Sequence, residues 1–245
     1  MRPLNSSQLL NVWERSFNHP LLEKALLLLN AACSDGDPED PALLSIGNRD
    51  AHLLQLREWM FGPRLLNVSH CPACGEHLEW VTNIADLRLA FSEKTSTASY
   101  SLQVDNFNIQ FRLPNSYDLS RVASDREYQS NPAKLLTDCV IEVQQEAGQY
   151  NAVELPGEVL EILDQHMAIE DPQADISMRL TCPGCSHTWE SQFDIVHYLW
   201  KEIDSWARHI LQDIALLAAT FSWSEAEILS LSPQRRQLYL DMIRK

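Results

Sequence analysis

Four of the six cysteines form two Cys-x-x-Cys pairs, Cys71 with Cys74 and Cys182 with Cys185. Each pair places two sulfurs at one tight turn, and a structural zinc ion takes four ligands in a tetrahedron at about 2.3 Å per sulfur. The two pairs therefore predict a complete shell of four thiolates around one zinc ion. Because four cysteines leave no position open for water, this zinc is expected to be structural and not catalytic.

The residues next to the cysteines favour tight turns. Proline follows the first cysteine of each pair and restricts φ there. Gly75 follows the first pair and tolerates positive φ, whereas Ser186 stands at this position in the second pair. Independent turns or redox-active pairs are the alternative. A redox pair usually opens a helix in a thioredoxin-like unit, and neither pair is followed by a helical pattern.

Other metal-binding side chains and thiols have more ordinary interpretations. His70, His77 and His187 flank the turns. They are either additional ligands or surface histidines, and four thiolates already complete the shell, which favours the surface. Cys33 and Cys139 lie in helix-like sequence without a partner and are expected to be buried structural thiols.

Strand-like segments flank both cysteine pairs and must position them. Two hairpins that face each other would form a zinc ribbon from residues 67–90 and 174–195. This ribbon would close around an inserted strand-and-helix region, residues 91–173. The apolar residues of the flanking segments are Leu78, Trp80 and Ile84 after the first pair, Ile176, Met178 and Leu180 before the second, and Trp189, Phe193 and Ile195 after it.

The inserted region combines one clear strand with short helices. Residues 107–113 alternate apolar and polar side chains, which predicts a strand with one buried face. Residues 93–99 are small and polar, typical of a loop or a hairpin tip. Short helices are predicted between Pro132 and Val143 and between Pro156 and Met167.

Helices are predicted at both ends of the chain. In the N-terminal helical region, 1–66, helices begin at Ser6 or Ser7, at Pro20 and near Arg49, with a polar loop at 34–41. In the C-terminal helical region, 196–245, a long helix covers about Ile195 to Ala219. Ser224 with Glu227, and Ser232 with Pro233, then mark two further starts. The predicted fold class is α+β, mainly α-helical.

Charge and composition exclude several function classes. Asp and Glu number 34 against 19 Lys and Arg, a net charge of −15, which repels phosphate backbones and anionic lipid headgroups. We therefore expect no membrane partner and consider nucleic acid unlikely, although a zinc-ribbon nucleic-acid-binding adaptor stays an alternative. Without a Gly-rich phosphate loop or a Ser, His and Asp grouping, an enzyme is not expected.

The expected location is the cytoplasm. The N-terminal residues lack the apolar core of a signal peptide, and the apolar run at 25–29 is too short to span a bilayer. In that compartment cysteines are more often thiols or metal ligands than disulfides.

Motifs along nearly the whole chain resemble those of a known family. The motifs are Leu10–Arg15, Asn48–Ala51, Phe61–Leu65, Cys71–Glu76, Phe111–Pro114, Asp171–Asp175, Cys182–Cys185, Trp223–Leu229 and Leu231–Leu240. In these motifs the chain is similar to baseplate-associated proteins in gene clusters for phage-tail-like contractile injection systems. Its C-terminal third also resembles hub assembly chaperones of T-even-type contractile-tailed phages.

The resemblance implies a role in building the baseplate or its central spike, with hub or spike proteins as partners. The protein would act as a non-enzymatic assembly chaperone or, alternatively, remain as a permanent structural component of the baseplate. The terminal helices are the hypothetical partner surface, or else their apolar residues pack the protein's own core. The residues concerned are Trp223, Ile228, Leu231, Arg235, Arg236 and Tyr239.

Overall fold

The computed structural model describes residues 1–33, 40–89, 98–131, 133–145 and 148–244. Of these residues, 57% are helical and 20% lie in strands, so the predicted α+β class with predominant helix is confirmed. The chain forms two compact units, one made of Met1–Asp37 with Ile195–Lys245 and the other of Pro38–Asp194. The four-segment division proposed from the sequence stays a prediction. Of the polar loops predicted at 34–41 and 93–99, residues 34–39 and 93–97 lie outside the described residues.

The secondary-structure elements follow the chain in this order. The α-helices of the described residues are α1 (Ser6–Arg15), α2 (Leu21–Ala32), α3 (Ile46–Phe61), α4 (Ile84–Leu87), α5 (Ser116–Ser124), α6 (Arg126–Ser130), α7 (Ala133–Cys139), α8 (Gly157–Glu170), α9 (Ile195–Phe221), α10 (Glu225–Ser230) and α11 (Pro233–Ile243). The strands are β1 (Arg64–His70), β2 (His77–Asn83), β3 (Tyr100–Val104), β4 (Phe107–Phe111), β5 (Val140–Gln145), β6 (Gly148–Gln149), β7 (Ile176–Thr181) and β8 (Thr188–Phe193).

The first unit is a helical assembly around α9, which contacts α1, α2, α10 and α11. Asn5 caps α1 in a reciprocal pair with Gln8, and Ser224 with Glu227 does the same for α10, as predicted. Among the described helices, none combines the length and apolar character that crossing a bilayer requires. The buried residues of α9 recur every three or four positions: Ile195, Leu199, Ile203, Ala207, Ile210, Ile214 and Leu217.

The second unit contains a four-stranded antiparallel sheet in the order β3-β4-β5-β6. Ile109 and Phe111 of β4 are fully buried, and Val143 of β5 and Leu163 of α8 belong to the same apolar core. The sequence predicted β4 only. Its predicted helix between residues 132 and 143 ends at Cys139. The next residues form β5, which pairs with β4 and buries Val143, while Ile141 stays exposed.

Two separate hairpins carry the cysteine pairs in this unit. Strands β1 and β2 pair antiparallel over seven positions, from Arg64 opposite Asn83 to His70 opposite His77. Strands β7 and β8 pair antiparallel from Ile176 opposite Phe193 to Thr181 opposite Thr188. Each hairpin therefore ends at one Cys-x-x-Cys turn, as the alternating sequence predicted.

Gln173 joins the segments at the base of the two hairpins. Its side chain is buried, donates to the carbonyl of Leu87 at 3.1 Å and accepts from the N–H of Leu89 at 2.6 Å. The two leucines follow β2, and Gln173 lies three residues before β7. One amide side chain thus holds the exit of the first hairpin beside the entry to the second.

The start of α3 is held against the same segment by Asp171. Its carboxylate accepts from the N–H of Gly47 at 2.9 Å and from the hydroxyl of Ser45 at 3.2 Å. A Cβ added at Gly47 would lie 2.1 Å from a carboxylate oxygen of Asp171 and 2.9 Å from the backbone nitrogen of Ala174. Only glycine permits this close approach.

Candidate metal centre

The two cysteine turns have the same backbone structure. In the first turn, the N–H of Cys71 donates to the carbonyl of Glu76, and the N–H of Gly75 donates to the carbonyl of Cys71, both at 2.9 Å. In the second turn, Cys182 donates to His187 and Ser186 donates to Cys182, again both at 2.9 Å. The hydrogen-bond pattern is therefore repeated, residue for residue.

Both turns need a left-handed residue after the second cysteine. Gly75 has φ 76° and Ser186 has φ 59°. Glycine adopts this region without steric cost, whereas a residue with a Cβ does so at a cost. The serine that departs from the glycine pattern therefore takes up the same backbone conformation.

The four sulfurs converge on one point. The Sγ atoms of Cys71 and Cys185 are 3.6 Å apart, as are those of Cys74 and Cys182. All four lie within 4.8 Å of one another. A tetrahedral ion at about 2.3 Å from each sulfur requires sulfurs about 3.8 Å apart. The predicted convergence of the two pairs is confirmed, and this arrangement can hold a metal ion.

The electrostatics of the thiols also favour a cation. Burial acts to raise the pKa of Cys71, but N–H groups of Cys74 and Ala73 donate to its sulfur and bring the pKa down to about 7. For Cys74, the N–H of Glu76 acts to lower the pKa, but the sulfurs of Cys185 and Cys182 outweigh it and raise the pKa to about 12. Four neighbouring sulfurs cannot all become thiolates without a positive charge among them, and a bound metal ion supplies that charge.

The sulfurs are partly shielded from solvent. The first cysteine of each pair, Cys71 and Cys182, is buried, whereas Cys74 and Cys185 are exposed. The centre thus lies at the tips of the hairpins with one side open to solvent. Among the residues that the structure describes, the close cluster of potential ligand atoms contains cysteines only.

The flanking histidines make other contacts. The rings of His70 and His77, opposite each other across β1 and β2, meet edge to face with centroids 5.1 Å apart. His187 stacks on Trp189. This arrangement agrees with the interpretation of these histidines as surface residues.

The two remaining cysteines are not members of the cluster. Cys139 is fully buried at the end of α7, and burial raises the pKa of its thiol to about 12. Cys33 is only half-buried. The expectation of a buried structural thiol is therefore confirmed for Cys139, whereas Cys33 is only partly buried.

The six residues of the hypothetical partner surface divide into buried and accessible groups. Ile228 is fully buried, and Arg236 is 5% exposed. Leu231, Trp223 and Tyr239 are half-buried, and Arg235 is exposed. Ile228 and Arg236 therefore pack within the first unit, as the core alternative supposed, and contact with a partner stays a prediction for the others.

Aromatic contacts organise the accessible group. Trp223 stacks on Phe221 with centroids 4.7 Å apart, and Tyr239 meets Trp223 edge to face at 4.9 Å. The guanidinium of Arg235 lies over the Tyr239 ring at 5.9 Å. Phe221, which sequence reasoning missed, belongs to this cluster because α9 extends two residues beyond the predicted end.

Arg236 is a buried cation with an incomplete set of hydrogen bonds. Its Nη1 atom is buried and has no hydrogen-bond partner among the described residues. Burial lowers the pKa of the guanidinium, and the nearby charge of Asp213 acts in the opposite direction. An unpaired buried donor costs stability, so this residue is not optimised for packing alone.

Comparison with protein families identifies the family of the chain. The family model described as T4 bacteriophage base plate protein matches residues 7–200. The chain belongs to this baseplate family. The match includes both hairpins and all four cysteines of the centre. Comparison with curated proteins and with solved structures finds no match.

Family membership shows that the protein is related to the baseplate, but it does not show a more detailed role. The match implies association with other baseplate proteins. The C-terminal helices α10 and α11 lie outside the matched residues. The resemblance to baseplate-associated proteins noted from the motifs is therefore confirmed at the level of the baseplate.

Proposed function

We propose that this baseplate protein is a non-enzymatic, cytoplasmic assembly factor for the hub or spike of a contractile phage tail-like particle, stabilised by one structural zinc ion. The observation that carries the proposal is the baseplate family match over residues 7–200. The sulfur cluster explains how the second unit holds its shape for that task.

The choice of zinc follows from ligand number and geometry. Four thiolates in a near-tetrahedral arrangement are typical of structural zinc or of iron–sulfur sites. The two hairpins with their Cys-x-x-Cys tips fit a zinc ribbon closed around an inserted region. Four protein ligands leave no site for a metal-bound water, which supports a structural and not a catalytic ion.

A direct metal analysis tests this part of the proposal. The protein purified without chelators and without affinity metals should contain about one zinc per chain by elemental mass spectrometry. Cys33→Ser, outside the cluster, should keep the zinc, and Cys71→Ser should lose it. Iron in place of zinc, or equal zinc in both variants, would contradict the assignment.

The role of assembly factor is proposed over that of a permanent component. The acidic chain suits transient shielding of a basic or aggregation-prone subunit before assembly, since its net charge of −15 keeps it soluble. The aromatic cluster of Trp223 and Tyr239 with Arg235 offers a partner a stacking surface.

Two measurements separate the roles. Tagged protein from cells that produce the particle should recover hub or spike proteins, while finished, purified particles should lack it. Presence in finished particles at fixed stoichiometry would favour the permanent component.

Arg235→Ala with Tyr239→Ala should weaken recovery of the hub or spike and leave the melting temperature unchanged. Equal recovery would remove the aromatic cluster from the interface.

The nucleic-acid adaptor is disfavoured by charge but is directly testable. A protein that neutralises phosphates loses affinity steeply as salt rises. We expect no retention on DNA or RNA at 50 mM salt, about a third of physiological ionic strength. Retention that falls steeply with salt would restore the adaptor function.

A further inference from the structure

The first hairpin exposes an apolar surface on its outer side. Leu66, Val68 and Val81 are 60%, 54% and 57% exposed. Leu66 lies directly opposite Val81 across the two strands, and Val68 follows Leu66 on the same side of β1. We name these three residues the outer face of the first hairpin.

The inner side of this hairpin is already used by the protein. Leu65, which alternates with Leu66 along β1, is fully buried, and Leu78 and Trp80 of β2 are half-buried. A strand with one side in the core and the other in water normally alternates apolar and polar residues. The inner side also holds the buried Asn67, and Glu79 lies opposite Val68 on the outer side. Even so, this hairpin carries apolar side chains on both sides, a pattern found in strands covered on both faces.

The second hairpin provides an internal control for this observation. Counted from the cysteines, the positions equivalent to Leu66, Val68 and Val81 hold Ser177, Arg179 and Gln192, and all three are exposed. Ser177 lies directly opposite Gln192, as Leu66 does opposite Val81. Neither the hairpin nor the cysteine turn therefore requires apolar residues at these positions.

The size of the outer face argues against a second copy as its occupant. A strand of seven residues at about 3.4 Å each, in a ribbon about 10 Å wide, offers roughly 240 Å². A stable interface buries about 800 Å² per partner. Two copies in contact through this face would fall well short of that area, and each copy carries a net charge of −15, so their remaining surfaces would repel.

The net charge of −15 also indicates the charge that a partner must have. The outer face is too small to form a stable interface by itself, so a partner must also contact the acidic surface around it. A surface of neutral or positive charge can do so, whereas an acidic surface would be repelled. Anionic lipid and nucleic acid are disfavoured for the same reason. We propose that the outer face of the first hairpin docks an apolar segment of another baseplate protein whose own net charge is neutral or positive. This inference rests on the proposed baseplate role.

A matched pair of variants tests the proposal. Leu66→Thr with Val81→Thr removes two of the three apolar side chains of the outer face and places threonine, whose β-branched side chain suits strands, at both positions. Ser177→Thr with Gln192→Thr makes equivalent changes on the second hairpin. The probes are the baseplate proteins encoded beside this chain, co-expressed with it, identified by mass spectrometry and then titrated as purified proteins.

The first pair should weaken binding of a neutral or basic baseplate protein at least tenfold, and the second pair should leave it unchanged. Zinc content and melting temperature should stay constant in both. If wild type and both variants bind equally well, the outer face is not the interface, and the proposed function stands without it. If the wild type binds no baseplate protein, both proposals are overturned.

Two further measurements cover the cases in which a second copy occupies the outer face or the double variant does not fold. If the wild type is a dimer by light scattering and Leu66→Thr with Val81→Thr is a monomer, a second copy occupies the face and the proposal is wrong. If the double variant does not fold, a photo-crosslinking amino acid at position 68 or at position 179 of the wild-type chain replaces it. Crosslinks to the baseplate partner from position 68 and not from 179 support the proposal, and the reverse overturns it.

Discussion

The two hairpins of the second unit are alike at their tips and unlike along their strands. At the tips, the same hydrogen bonds and the same left-handed residue recur in both. Along the strands, Leu66 and Val81 stand where the other hairpin has Ser177 and Gln192. The geometry of the tips is tightly constrained, because the four sulfurs converge to within 4.8 Å of one another. The strand surfaces are constrained only by what lies against them.

The largest expected effect tests whether the tips act as one centre. Cys71→Ser and Cys182→Ser, one in each hairpin, should abolish zinc binding equally, because each leaves only three thiolates. In small zinc peptides the ion contributes roughly 10–16 kcal/mol to folding, so both variants should lose the cooperative unfolding of the hairpins in differential scanning calorimetry. Zinc retained by one variant and not by the other would show that the hairpins are not equivalent.

The ion pair between Asp118 and Arg112, which includes no metal ligand, provides a reference for the loss of stability in the cysteine variants. Asp118 is buried and accepts two hydrogen bonds from Arg112, at 2.6 and 2.9 Å. It also accepts from the N–H of Asn115 at the start of α5. Asp118→Asn weakens the pair with Arg112 and should cost about 3 kcal/mol in urea unfolding. Glu142→Gln, at a half-buried position of β5, should cost little. Unlike the cysteine variants, Asp118→Asn should keep its zinc.

The contribution of Asp118 should depend on pH in a defined direction. Burial acts to raise its pKa, but the hydrogen bonds from Arg112 and Asn115 outweigh it and hold the pKa below 3.8. The folded protein therefore binds fewer protons there than the unfolded chain. The stability difference between wild type and Asp118→Asn should be complete above pH 3.8 and shrink as pH falls through the lowered pKa. A difference that grows on acidification would contradict this assignment.

A smaller effect is expected at the base of the hairpins. Gln173→Ala removes both hydrogen bonds to the segment after β2 and should cost about 1–2 kcal/mol, since a backbone donor and acceptor lose their partner. Gln173→Glu keeps the acceptor for Leu89 but loses the donor to Leu87, so its cost should be intermediate. Chemical unfolding measures both. Equal stability of all three proteins would mean that the tips alone hold the hairpins together.

The smallest effects compare the two tips directly. Gly75→Ala places a Cβ at φ 76°, with no atom within 4 Å to obstruct it, so only the backbone conformation opposes the change. Its cost should be about 1 kcal/mol. Ser186→Gly relieves the left-handed backbone strain and should stabilise, but only by roughly 0.5 kcal/mol, because the larger entropy of glycine in the unfolded chain offsets part of the gain. If Gly75→Ala and Ser186→Gly changed the free energy of unfolding in the same direction, the backbone strain at the two positions would differ.

Sequence reasoning succeeded where residue type dictates local geometry. The cysteine pairs, the capping residues of α10 and α11 and the alternation of β4 all act within a few positions of the chain, so their patterns were recognisable. It failed for β3, β5 and β6, whose alternation is weak or whose length is short. It also placed Ile84 in a strand, whereas this residue begins α4 and is fully buried.

The burial of single side chains was the hardest feature to predict. In α3, the large apolar Trp59 is 44% exposed, while the charged Arg57 is buried, so residue type alone does not indicate burial there. Ile228 and Arg236 were candidates for a partner surface and lie inside the first unit. Helical spacing identifies a face of a helix, but the neighbouring elements decide which face is covered.

By itself, the sequence determined that four thiolates would be available at two tight turns and that the acidic surface would disfavour phosphate ligands. These properties depend on residue type and on spacing within each turn. Only the tertiary structure decided that sulfurs 108 positions apart meet at 3.6 Å and that one hairpin exposes an apolar face while its counterpart does not. Convergence and exposure depend on how distant segments pack, which local patterns do not encode.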